Sequence, residues 1–334
     1  MIVDLMDVPT RRCQDVLILE RLRNPTDEEC AGFDLAAVDL ACAVSLPGSE
    51  RLDIPACLAW VDHAAAWARH QTAAAFDQFR RGPETYDKSE GIFRVVAMMN
   101  VLWRGLGVHY NQERIDDPEA FSDSRDDFIH GIIEGRGGTC ASLPVLLTAV
   151  GRRLGYPLKL VTTARHLFAR WDDPFGERFN VEINKTGLNT YPDEHYLTWP
   201  IDIQGTKWET ETKFLRSLTP REEVAHVWAK RGHNLRANGR LKEAVDCFAT
   251  ACSIVADDRL HDLCLWSLLK QRRAVLNEII PAATPNLRIY FPSRRRYPGL
   301  PIEMERDIIA LEVLEGLLNE PIPVVEQVVR CVLS

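Results

Sequence analysis

The hydrophobic residues of this chain change their spacing twice along the sequence, and the order of these changes limits the fold. Between Asp34 and Leu106, apolar residues recur at the intervals typical of amphipathic helices. Between residues 158 and 184 they alternate with polar residues, as in half-buried strands, and a DDPFG turn divides this region. The helical spacing returns from Thr219 onward. Helices, then two or three antiparallel strands, then helices again predict an α+β protein.

Composition excludes several classes of function. The chain has 334 residues, enough for two domains, and a formal net charge of -8. This charge argues against a general nucleic-acid binder, because phosphate contacts need a basic face. Arg294–Arg296 form one short basic run, which we interpret as a solvated loop.

The N-terminal residues and the cysteines indicate the cellular compartment of the protein. MIVDLMDVPTRRC carries acidic residues where a signal peptide would be basic, and no apolar run approaches the roughly 18 residues of a membrane helix. We therefore expect a cytoplasmic protein without a membrane partner. The nine cysteines are an odd number and lie mostly in apolar helical patterns, as expected of buried thiols in a reducing compartment. Neither CxxC nor HExxH occurs, so we expect no metal and no cofactor.

A glycine-rich turn precedes one of these cysteines. In GRGGTCASLP, three glycines stand before Cys140, and a helical pattern follows that ends near Gly155. Pro144 fits this helix only in its first turn, where no internal hydrogen bond is lost. The sequence therefore predicts Cys140 at a helix N-terminus, where aligned dipoles and free N–H groups favour a thiolate and leave amide donors near an oxyanion.

A cysteine nucleophile needs a base, and the base needs an orienting group. His166 lies on the second predicted strand. Asn180 and Glu182 lie on the next strand and, being two residues apart, point to the same face. Either side chain could hold the imidazole across the hairpin. The order cysteine, histidine, polar residue is that of an acyl-transfer triad.

The helical tail carries a spaced pattern of its own. TPRE predicts a helix that begins with a Thr219 cap, with proline first and glutamate third. The residues that follow match the spacing of a tetratricopeptide repeat, in which small side chains let two antiparallel helices approach closely. The matching positions are Trp228, Gly232, Leu235, Ala244, Phe248 and Ala251.

GGTCASLPVLLTAVGRRLGYPLKLV, followed by HLFARW and FNVE, resembles the transglutaminase-like superfamily. The resemblance is to a bacterial branch with a helical N-terminal region and a tetratricopeptide tail. It extends over roughly residues 50–280, and LWRGLGVHYNQERIDDPEAF also resembles the segment before the core motif. The resemblance implies a papain-like core in which a cysteine-bearing helix packs on a small antiparallel sheet.

The family resemblance also implies residue roles. Cys140 matches the nucleophile that attacks an amide or ester carbonyl, and His166 matches the general base and acid. The usual aspartate falls nearest Glu182, which we favour over its neighbour Asn180. The implied activity is peptidase, amidase or transglutaminase-type acyl transfer on an amide, peptide or isopeptide bond of a protein or peptide. No calcium ligand cluster is visible.

The protein and its candidate residues also have other interpretations, most of them without catalysis. Many members of this branch lack the cysteine, so the chain could be a non-catalytic scaffold whose tetratricopeptide tail binds a protein. Cys140 could be an inert core thiol, and Glu182 could pair with Arg170. His195 in YPDEHY could join the site, although a plain loop is the simpler interpretation. Asn111 could donate to an oxyanion or simply form a turn.

We expect four segments along the chain. They are an N-terminal helical segment at 1–50, a transglutaminase-like core at 51–215, a tetratricopeptide-like unit at 216–280, and a loop with helices at 281–334.

Overall fold

The computed structural model describes residues 19–114, 122–184, 187–258, 260–262, 264–265 and 267–271. The predicted segment at 281–334, which contains Arg294–Arg296, lies outside the described residues. Asp117 and Pro118 also lie outside them.

The helices before the sheet begin at polar side chains that accept hydrogen bonds from backbone N–H groups. Asp34 caps one helix at 2.9 Å from Ala37 N, and Asp53 caps the next at 3.0 Å from Ala56 N. Each cap satisfies a donor that has no partner inside the helix. The helices are α1 (Asp27–Gly32), α2 (Leu35–Ala43), α3 (Ile54–Arg81) and α4 (Glu90–Asn100).

The segment from residue 125 to residue 135, whose apolar residues also have helical spacing, forms two short helices instead of one. Helix α5 covers Ser124–Asp127 and helix α6 covers Ile129–Ile133. Between them Phe128 is extended, with φ -115° and ψ 155°, and fully buried. The Ile129 N–H donates to the carboxylate of Asp39 at 2.9 Å. A tertiary contact therefore replaces the helical hydrogen bond that local sequence favoured.

A four-stranded antiparallel sheet follows helix α7 (Leu143–Arg153), and this confirms the predicted α+β class. The strands pair in chain order, and two residues join β1 to β2 and five join β2 to β3. The short fourth strand was not predicted. The strands are β1 (Leu158–Thr163), β2 (His166–Asp172), β3 (Arg178–Asn184) and β4 (Gly187–Asn189).

The helices after the sheet include two long ones and two short ones. The loop expected around His195 is wrong, because this residue lies in a short helix that Pro192 precedes and Asp193 and Glu194 open. Thr219 caps the first long helix as predicted, in a reciprocal capping box with Glu222. The helices are α8 (Asp193–Thr198), α9 (Lys207–Glu211), α10 (Pro220–Ala237) and α11 (Leu241–Ile254).

One hydrophobic core joins the helices to one face of the sheet. Helix α7 lies at its centre, with every residue from Leu143 to Gly151 buried. The core runs from Leu22 to Leu269, so the first three predicted segments pack together where they are described, and the division of the chain into segments stays a prediction. None of the described helices is both long and apolar enough to cross a bilayer.

Candidate active site

The glycine-rich turn brings the chain close to an upstream segment. Gly137 has φ +86°, and a side-chain carbon there would lie 2.9 Å from the His109 ring and 3.2 Å from Asn111 N. Gly138 exchanges backbone hydrogen bonds with this segment, from Gly138 N to His109 O at 2.9 Å and from Asn111 N to Gly138 O at 2.8 Å. The glycines are therefore required by a close backbone approach and a left-handed conformation.

Cys140 lies in a turn before the helix rather than in its first turn. Helix α7 begins at Leu143, with Ser142 as its N-cap and Pro144 as its second residue. The expected start near Cys140 is wrong because Thr139 forms the turn. Its hydroxyl accepts from Ala141 N at 3.1 Å, and its carbonyl accepts from Ser142 N and Leu143 N. These three amides are therefore occupied and do not face an incoming oxyanion.

The Cys140 thiol is partly accessible. Of the seven described cysteines, five are buried, and only Cys140 and Cys252 are half-buried. Burial and the nearby Asp262 raise the pKa of the Cys252 thiol well above its usual value. Cys140 instead lies beside the imidazole of His166, whose charged form its side chain stabilises.

His166 is held by Glu182 from the neighbouring strand. The distance between His166 Nε2 and Glu182 Oε2 is 2.7 Å, and the two side chains are 7% and 13% exposed. Because a carboxylate only accepts, Nε2 carries the proton, and Nδ1 is the ring nitrogen left to contact the thiol. Cys140, His166 and Glu182 thus form a continuous chain of contacts.

The environment of His166 favours its charged form. Burial lowers the pKa of this imidazole, but hydrogen bonds to Cys140 and Glu182 and the negative charge of Glu182 outweigh burial. Together they raise the pKa from 6.5 to about 9. The histidine is therefore mostly protonated at neutral pH.

Asn180 belongs to a different hydrogen-bond network. Its Oδ1 accepts from Arg170 Nε at 2.6 Å, and its Nδ2 donates to Asp193 at 2.7 Å and to the Tyr191 carbonyl at 2.8 Å. The Arg170 guanidinium is 1% exposed and pairs with Asp193. The expected alternative, an Arg170–Glu182 ion pair, is therefore wrong. This network attaches helix α8 to the sheet.

Helix α8 covers the histidine and the glutamate with aromatic rings. The Tyr196 hydroxyl donates to Glu182 Oε2 at 3.1 Å, and its ring stacks 6.1 Å from that of His166. Trp199, 44% exposed, meets the His166 ring edge to face at 4.8 Å. His195 stacks on Tyr191 and Trp199. The density of aromatic and polar residues in YPDEHY was the one sequence signal for these contacts.

Tyr110 is a site residue that sequence reasoning missed. It forms a parallel bridge with Gly138, which brings its phenol to Cys140. Burial and electrostatic interactions with Cys140 and Glu182 raise the pKa of this phenol, although a hydrogen bond from the Cys140 backbone opposes the rise. The neighbouring Asn111 accepts from Glu113 N at 3.2 Å, as a turn-forming asparagine does. No local pattern predicts the contact, because it depends on pairing distant segments.

In the described parts of the chain, no three or more His, Cys, Asp or Glu side chains are grouped as metal ligands.

Fold and site together define an α+β protein with a cysteine, a histidine and a glutamate in contact at one end of a small sheet. Residues 58–228 match the family model described as the transglutaminase-like superfamily. The match covers slightly more than half of the 334 residues and includes all three side chains. The chain therefore belongs to the transglutaminase-like superfamily. Searches of curated proteins and of solved structures found no significant match.

Proposed function

We propose that the protein catalyses thiol-dependent acyl transfer, of peptidase, amidase or transglutaminase type, on an amide, peptide or isopeptide bond. The observation that carries the proposal is the contact chain from Cys140 through His166 to Glu182, with 2.7 Å between Nε2 and Oε2. A partly accessible thiol, a base and an orienting carboxylate are the minimum set for a cysteine nucleophile.

The proposed reaction begins with attack of Cys140 Sγ on the acyl carbon. His166 already holds the corresponding proton at Nδ1 as an imidazolium, which Glu182 stabilises through Nε2, so that the sulfur attacks as a thiolate. His166 then gives this proton to the departing amine as the C–N bond breaks, which leaves a thioester on Cys140. Attack by water or by a second amine on this thioester completes hydrolysis or transamidation.

The carbonyl oxygen of the substrate becomes negatively charged during this attack, and hydrogen-bond donors are needed to stabilise it. The amides of residues 141–143 are occupied by Thr139. We assign the role to the hydroxyl of Tyr110, whose oxygen accepts a hydrogen bond from the Cys140 backbone N–H beside the sulfur. Because burial and neighbouring negative groups raise the pKa of Tyr110, the phenol retains its proton and can donate.

Site-resolved alkylation tests the proposal without knowledge of the substrate. Iodoacetamide labelling of Cys140 at pH 7, followed by peptide mass spectrometry, is compared between native and urea-unfolded protein. We expect faster labelling in the native protein, and a loss of about tenfold or more in the His166→Ala variant. The matched control is His195→Ala, which removes an imidazole that stacks on Trp199 and Tyr191, outside the contact chain.

A second readout addresses acyl transfer itself. With p-nitrophenyl acetate as probe, the proposal predicts a burst and an acetyl group on Cys140, detected by intact mass and lost in Cys140→Ser. Native labelling no faster than that of the unfolded protein, with no acetylation, would contradict catalysis. That result would favour the alternative, a transglutaminase-like scaffold that binds proteins.

The helical tail supports a second, independent proposal. Helices α10 and α11 pack closely, and the lack of a side chain at Gly232 leaves room for the ring of Phe248. We propose that this pair is a tetratricopeptide-like unit that contacts a protein partner or the substrate protein. Binding of protein substrates that is weakened by substitutions on the exposed face of α11, with p-nitrophenyl acetate turnover unchanged, would support it.

A further inference from the structure

A buried ion pair lies behind the cysteine turn. Lys230 of helix α10 donates to Asp39 of helix α2, and the two side chains are 4% and 0% exposed. The ammonium also lies 4.4 Å from the centre of the Phe128 ring. Removing two charges from water is costly, and apolar residues of similar volume are often as stable. The stability of the fold therefore does not by itself account for this buried ion pair.

The ion pair of Lys230 and Asp39 contacts the residue that follows Cys140. Lys230 Nζ lies 3.4 Å from the carbonyl oxygen of Ala141. The second oxygen of Asp39 accepts from Ile129 N at 2.9 Å, at the start of helix α6. The ion pair therefore connects two flanking helices to the cysteine turn and to the helix before it.

The other side of the turn is fixed from a different direction. The hydroxyls of Thr139 and Ser142 both donate to the carbonyl of Asp126, at 2.8 Å and 3.2 Å. These bonds hold the two ends of the turn, whereas the Lys230 contact holds the peptide group between Ala141 and Ser142. Cys140 is thus presented by a turn that is anchored on both sides.

We propose that Lys230, oriented by Asp39, is a positioning residue that holds the Cys140 turn so that the thiol faces His166. The inference rests on the proposed function. Asp39 and Lys230 both lie outside the residues 58–228 that match the family model. The helices that flank the family core therefore complete the support of its nucleophile.

The test replaces the pair with apolar residues of similar volume, in the double variant Asp39→Leu/Lys230→Met. We expect a folded protein with a Tm close to that of the wild type. Alkylation of Cys140 by iodoacetamide is expected to slow by about tenfold or more, because small displacements of a reacting group cost large factors in rate. NMR titration should also show a lower His166 pKa, since the imidazole loses its bond to Cys140. Lys230→Arg, which keeps a cationic donor, should restore most of the labelling rate.

A matched control removes another ion pair of helix α10, the one that it forms with helix α7. Arg152, at the far end of helix α7, pairs with Glu223 of α10 at 2.6 Å. Arg152→Met/Glu223→Leu removes this contact and should leave the Cys140 labelling rate unchanged. Equal slowing in both double variants would show that helix packing, rather than Lys230, controls the thiol, and would overturn the proposal.

Two further outcomes separate this proposal from the proposed function. In the first, the labelling of Cys140 depends on His166 but is as fast in Asp39→Leu/Lys230→Met as in the wild type. This result overturns positioning by Lys230 and leaves acyl transfer standing. In the second, the labelling rate of the wild type does not depend on His166, and this result overturns the proposed acyl transfer itself.

If the apolar double variant does not fold, Asp39→Asn/Lys230→Gln replaces it. That uncharged pair is too short to reach the Ala141 carbonyl, and wild-type labelling in it would overturn the proposal.

Discussion

His166 and Glu182 are diagonal neighbours on two antiparallel strands, and their side chains meet at 2.7 Å between Nε2 and Oε2. Strands β2 and β3 pair Ala169 with Val181 and Arg170 with Asn180. One further step along this register places Glu182 opposite Phe168, two residues from His166 on the same face. The same register places Asn180 too far along the strand to reach the imidazole. The strand register therefore determines which polar residue holds the histidine.

The first prediction concerns the partner of His166. Glu182→Gln removes the charge that favours the imidazolium, so the pKa of His166 should fall from about 9 towards 6.5. The measurement is an NMR titration of the imidazole C–H signals, with His166 assigned by its absence in His166→Gln. Asn180→Ala is the control, because Asn180 bonds to Arg170 and Asp193. An equal fall in both variants would contradict the assignment of Glu182.

The second prediction is a dependence of stability on pH. Folding raises the His166 pKa from 6.5 to about 9, so the native state binds this proton more tightly than the unfolded state. The stabilisation is complete below pH 6.5 and is lost as pH rises through about 9. Its size is roughly 3 kcal/mol, from about 1.36 kcal/mol for each unit of pKa difference.

Urea unfolding between pH 6 and pH 10 measures this dependence. The free energy of unfolding of the wild type should decrease across the interval, relative to that of His166→Gln. Parallel profiles for the two proteins would show that His166 does not bind its proton more tightly on folding.

The third prediction separates oxyanion stabilisation from thiol reactivity. Tyr110→Phe should reduce the burst with p-nitrophenyl acetate by about tenfold or more, because removal of an oxyanion donor is costly. Iodoacetamide alkylation should not slow, because displacement of iodide places no charge on a carbonyl oxygen. Tyr191→Phe serves as control, since it removes a phenol whose ring stacks on His195, outside the contact chain. Equal losses in both reactions of Tyr110→Phe would mean that Tyr110 acts on the thiol instead.

The fourth prediction concerns the packing of helices α10 and α11. A methyl group on Gly232 would lie 2.5 Å from Cε2 of Phe248, whose ring is fully buried. Gly232→Ala should therefore lower the free energy of unfolding by about 1–3 kcal/mol, measured by urea denaturation. Adding Phe248→Leu should recover part of this loss. Gly32→Ala is the control, because nothing lies within 4 Å of the added carbon there.

The sequence by itself determined the class of the fold and the main elements near the site. Hydrophobic periodicity located helix α7, the region of the first three strands and the long helices, because a repeating apolar pattern is a local property. Capping chemistry placed the start of helix α10 at Thr219 for the same reason. Cys140 and His166 also stood out locally, through the glycines and the strand pattern.

Only the tertiary structure decided how these residues meet. The register of β2 and β3 brought Glu182 to His166 and gave Asn180 to Arg170. The bridge between Tyr110 and Gly138 brought a phenol to the thiol. Flanking helices placed the pair of Lys230 and Asp39 behind the cysteine turn. Each contact joins residues distant in the chain, and its geometry follows from strand pairing and core packing, which local sequence patterns do not encode.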